Sequence, residues 1–115
     1  MENKIIDKSM EFAIRIVNLY KYLCDEKGEF VMSKQLLRAG TSIGANVREA
    51  QHGQSKADFG TKMNIALKEA SECDYWIDLL HKTEFLNQAQ YESISKDIKD
   101  IHNMLIAIVK TTYKK

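Results

Sequence analysis

Apolar and polar positions along this chain recur with a helical period, most clearly over residues 33–80. Phe59, Met63, Ala66, Ala70, Cys73, Ile77 and Leu80 follow one another at alternating steps of four and three, the a/d seam of a heptad repeat. Leu36, Gly40, Ile43, Val47 and Ala50 form a matching seam with much smaller side chains. His52-Gly53-Gln54 separates the two pieces. The pattern therefore predicts two helices that face each other in a helical core.

The flanking segments extend the pattern. Ile5, Phe12, Ile16, Leu19 and Leu23 form one stripe, with Ile6, Ala13, Val17, Tyr20 and Cys24 beside it, predicting a first helix over residues 4–27. That face is wider than a two-stranded coiled coil needs and suits a bundle. Gly28 supplies a left-handed stop, and Ser33 is the predicted N-cap of a second helix reaching about Gln51, with a start one or two residues earlier as the other reading. Ser55 with Asp58 reads as an approximate capping box for a third helix that ends near Lys82. After a loop at 83–87, Tyr91, Ile94, Ile98, Ile101, Leu105, Ile108 and Thr112 predict the fourth. Short loops between such helices give an all-α, up-down-up-down four-helix bundle, with residues 1–115 as a single domain. Gly40 and Gly44 each cost about 1 kcal/mol inside a helix; with Ala39, Thr41, Ser42 and Ala45 around them, a neighbouring backbone is expected to approach closely.

One core does not use every apolar position. Ile65, Glu69, Glu72, Trp76 and Leu79 cluster on a second side of the third helix. Leu37, Thr41, Gly44 and Arg48 flank the second helix, with Arg38 close by. A ridge of this kind is an association site. The expected contact between protomers uses Arg38, Arg48, Ile65, Glu69, Glu72 and Trp76, with Arg38 or Arg48 meeting Glu69 or Glu72. The edge of a wide core is the other reading of Trp76.

Composition narrows function mainly by exclusion. With 17 basic and 16 acidic residues the formal charge is only +1, so no overall field draws the chain to nucleic acid or an anionic surface. No run approaches the roughly 20 apolar residues of a membrane span, and MENKIIDKSMEF lacks the apolar region of a signal peptide. A cytoplasmic protein without a membrane partner is expected, with Cys24 and Cys73 as buried free thiols.

Candidate chemistry is sparse. Glu49-x-x-His52 and Asp78-x-x-His81 have the spacing of di-iron bundle ligands, but these histidines end consecutive antiparallel helices and so lie at opposite ends of a bundle about 40 Å long. No histidine shares a turn with Thr41 or Ser42 to activate it. The glycines of GTSIG lack the strand and GK[ST] ending of a phosphate loop. No catalytic residue, metal site or cofactor is assigned. Lys96, Lys99, Lys110, Lys114 and Lys115 make the last third modestly basic and are the candidate contacts to RNA or DNA.

SKQLLRAGTSIGANVREA followed by SKADFGTKMNIALKEASECDYWIDLL resembles the bacterial four-helix bundle proteins encoded in 23S rRNA intervening sequences. The accessory variability proteins of diversity-generating retroelements resemble the same group. The resemblance implies a ring of five bundles around a channel, a homopentamer. From the accessory members it also implies binding to a reverse transcriptase and nucleic acid. It places polar family positions at Arg38, Thr41, Ser42, Asn46, Glu49, Lys68, Glu69 and Glu72. Near-neutrality sets this chain apart from the strongly basic retroelement members. Two functions follow: a non-enzymatic oligomeric adaptor for RNA or an RNA-handling protein, or a structural oligomer with a protein partner and no nucleic-acid role.

Overall fold

A computed structural model describes residues 2–113, which form four helices: α1 (Glu2–Lys27), α2 (Met32–Ala50), α3 (Lys56–Lys82) and α4 (Gln88–Tyr113). They lie along the 47 Å axis of a body about 20 Å across. The 27 residues of α3 span nearly that length at about 1.5 Å each. Each helix packs on the next in sequence, and α1 meets α4 over a thinner seam; the backbones of the diagonal pairs stay farther apart. This is an all-α, up-down-up-down four-helix bundle.

The predicted seams form its core. Ile5, Ile16, Leu23, Ile43, Val47, Met63, Ala66, Ala70, Cys73, Ile77, Ile98 and Leu105 are all fully buried. Phe59 departs from the expectation of full burial. It lies in the first turn of α3, where the bundle is open at its end, and is only half-buried. Of the two thiols, Cys73 is buried but Cys24 is only half-buried on α1, because its stripe turns toward the outer side of the α1/α2 contact. Burial pushes the Cys73 thiol well above its ordinary range, reinforced by Glu69 and Glu72 nearby.

The helix ends follow the expected signals at α1 and α3 and depart from them at α2. Gly28 takes φ +61° after α1, as predicted, and the next amide bonds back to Leu23 O at 2.9 Å. Ser33 is not the N-cap of α2. The helix begins at Met32, and Ser33 is buried within it, donating its hydroxyl to Glu29 O at 2.8 Å. The cap is the Glu29 carboxylate, which accepts from the amides of Val31, Met32 and Ser33 at 3.0, 3.0 and 2.7 Å. Burial opposes its charge, yet these amide bonds together hold the carboxyl below the usual glutamate range. Ser55 does cap α3, accepting from Asp58 N at 3.0 Å. Asp58 returns a bond to Gln54 N rather than to Ser55. At α4 the side chains of Asn87 and Gln90 accept each other's amides at 2.8 and 2.9 Å, a reciprocal capping box.

The two interior glycines of α2 differ. A Cβ at Gly40 would lie 2.8 Å from both Cγ atoms of Ile16, so α1 and α2 approach through this position. A Cβ at Gly44 would reach only 3.5 Å from Ser9 O, an ordinary contact. Close packing thus explains Gly40 but not Gly44.

Candidate interaction surface

The α2/α3 face gathers most of the proposed ridge. Arg38 on α2 reaches across to α3, pairing with Glu69 at 3.3 Å and with Glu72. Its guanidinium is split between two carboxylates instead of gripping one in bidentate fashion. Glu72 also accepts from Trp76 Nε1 at 3.1 Å. The Arg38 bond, then the indole bond, hold the Glu72 carboxyl below the usual glutamate range. Glu69, Glu72 and Trp76 occupy successive turns of α3, and that spacing lets one arginine close the set.

Trp76 is half-buried with its ring against the core. Tyr75, which the periodicity did not single out, meets it edge-on with ring centroids 5.0 Å apart and is 58 % exposed. Ile65 is half-buried two turns before Glu72. Arg48 lies elsewhere. It lines a recess between α1 and α2 with Ile6, Met10, Ala13, Thr41 and Ala45, and among the described residues it makes no ion pair. The chain therefore brings Arg38, Glu69, Glu72 and Trp76 together but sets Arg48 on the neighbouring face. A helical wheel with only the core seam as reference could not separate them; the packing of α1 against Gly40 does.

Other polar family positions serve the helices themselves. Thr41 and Ser42 donate to Leu37 O and Arg38 O at 2.8 and 2.6 Å, and Asn46 to Ser42 O at 2.8 Å. Glu49 pairs with Lys62 of α3 at 2.8 Å, while Lys68 is exposed.

The candidate nucleic-acid residues all lie on α4 or beyond it. Lys96 pairs with Asp100 at 3.1 Å. Lys99 donates to Ser95 Oγ at 2.7 Å and stands 3.8 Å from Asp74. Lys110 is exposed near the C-terminal end; Lys114 and Lys115 lie outside the described residues. Lys99 also borders a cleft of about 350 Å³ between α3 and α4, with Ser71, Asp74, Ile98, His102 and Asn103. His102 is half-buried there, its Nε2 standing 3.1 Å from Ser71 Oγ. Among the described residues no group of three His, Cys, Asp or Glu side chains could hold a metal ion, and no helix is long and apolar enough to cross a membrane.

The family model of the 23S rRNA-intervening sequence protein matches residues 1–107. The chain belongs to this family. A solved structure from Bacteroides thetaiotaomicron, a protein of unknown function from the S23 ribosomal protein family, is 60 % identical. It superposes with a TM-score of 0.93, covering 95 % of this chain and 97 % of its own. No curated protein matches.

Proposed function

We propose that this 23S rRNA-intervening sequence protein is a non-enzymatic homo-oligomeric adaptor, built as a pentameric ring, that acts in the cytoplasm on RNA or on an RNA-handling protein such as a reverse transcriptase. The observation that carries the assembly is the aromatic ridge of Tyr75 and Trp76 on α3, with its charges already organised by Arg38, Glu69 and Glu72. Aromatic side chains beside an arginine are the composition of an interface centre. Pre-pairing of the charges lowers the cost of burying them against a neighbour. Family membership supports the RNA side of the reading, and Lys110 repeated around a ring supplies cationic contacts that add through effective concentration.

A second reading is a structural or protein-interaction oligomer with no nucleic-acid role. It is favoured by the pairing of Lys96 with Asp100 and of Lys99 with Asp74, which occupies two of the α4 cations within the chain. Titration of structured RNA at about 50 and 200 mM salt separates the two, since phosphate contacts weaken steeply over that range. The adaptor reading expects weak, sequence-tolerant binding at the lower salt that is lost at the higher. No binding at either salt leaves the protein-interaction reading.

A further inference from the structure

The apolar seams close the core along most of the bundle, but not at the end where α1 and α3 begin and α4 finishes. Phe59 and Ile108, both seam positions, are only half-buried there, although Met63 and Leu105, one turn further in, are fully buried. Beside them lies a cavity of about 440 Å³, walled also by Met104, Ala107 and Thr111 of α4, with Lys4 of α1 at its edge. A volume of that order belongs to the smaller ligand sites, which span about 300–1,000 Å³ and are mostly apolar. Gly60 accounts for the gap. A Cβ there would stand 2.6 Å from Tyr113 Oη and 3.2 Å from Thr112 Cγ2, so the last turn of α4 lies close on α3 and leaves room on its α1 side.

Charge along the α1/α4 seam singles out Lys4. Arg15 pairs with Asp97, and Lys8 stands 3.8 Å from Asp100. The two helices are antiparallel, so one turn back along α1 and one turn on along α4 set Lys4 at the level of Met104. The next rung of the ladder therefore has its cation and no acid. Lys4 is exposed and makes no ion pair among the described residues. It is also the one charged side chain among the described residues that line the cavity.

We propose that this end cavity binds a medium-chain carboxylate, with its alkyl chain between Phe59, Met104 and Ile108 and its carboxylate on the Lys4 ammonium. Such a guest completes both patterns that the chain leaves open. Its methylenes cover the unfinished core, and its anion supplies the missing acid. Burial of the chain drives binding, at about fourfold in affinity per methylene until the cavity is full. An exposed ion pair adds only about two- to fivefold. Lys4 thus selects the headgroup, while the apolar wall sets the affinity.

The test is isothermal titration calorimetry of the full chain with hexanoate, octanoate and decanoate, each kept below its micelle concentration. Decyltrimethylammonium serves as the probe with the decyl chain and the opposite charge. Saturable binding that tightens from hexanoate to decanoate is expected, with decanoate ahead of the cation. Lys4→Glu sits at an exposed position where an acid suits the helix N-terminus, so its circular dichroism should match wild type. It should weaken decanoate by at least about twofold and put the cation ahead. Ala107→Phe, filling the cavity from an exposed position, should remove binding of both probes. A wild type that binds no decanoate overturns the proposal. So does a Lys4→Glu protein that keeps the wild-type order, or decanoate binding that survives in a folded Ala107→Phe protein, since the guest then sits elsewhere. If Ala107→Phe fails to fold, the reversal in Lys4→Glu decides alone.

Discussion

Gly40 and Gly44 are four residues apart in the sequence and look alike there, yet their surroundings separate them. At Gly40 an added methyl would collide with the branched, fully buried Ile16 side chain. Overpacking of that kind typically costs about 1–3 kcal/mol, against a helix-propensity gain of about 1 kcal/mol for alanine. Gly40→Ala should therefore be neutral to destabilising in urea denaturation, whereas Gly44→Ala should be more stable than wild type by up to about 1 kcal/mol. The reverse order would place α1 wrongly against α2. Glu29 offers a second residue-scale check. Its folded pKa lies below the unfolded value, so its stabilisation is present above the unfolded pKa and fades as pH falls through the folded one. Glu29→Gln should lower the unfolding midpoint at neutral pH, with the gap to wild type closing below roughly pH 4. A gap that is unchanged by acid would mean that the charge on Glu29 contributes nothing to the cap.

The helices themselves were legible because each depends on a repeated pattern. The heptad steps from Met63 to Leu80 fixed the buried side of α3, and Gly28 and Ser55 marked their boundaries. Met63→Asp places a charge at a fully buried position with no partner, and such changes rank among the most destabilising. The variant should lose helical signal or melt far below wild type; an unchanged melting curve would refute the helical register. What was not legible depended on contacts rather than period. A carboxylate three residues before Met32 took the cap from Ser33, because Glu29 can reach three amides at once while the Ser33 side chain bonds back to Glu29 O. Asn87-x-x-Gln90 carries the reciprocal cap of α4, and its spacing could have been read from the sequence. The wheel of α2 likewise put Arg48 beside Arg38, since the direction from which α1 packs is a tertiary fact.

For the whole molecule, the ridge and the α1/α2 face are surfaces on which the bundle leaves aromatic or uncharged apolar residues at least partly exposed. Both are joined to the bundle by α2, whose small residues let α1 approach on one side while Arg38 and Glu49 reach α3 on the other. A chain with a formal charge of +1 has little net repulsion to keep its copies apart. The central claim is therefore that this bundle works as an oligomer held through Trp76 and its neighbours. The most direct measurement is the solution mass by multi-angle light scattering at micromolar concentration, for wild type and Trp76→Ala. The account predicts a mass near five chains for wild type and a smaller one for the variant. A wild-type mass of one chain, 13.3 kDa, would contradict it.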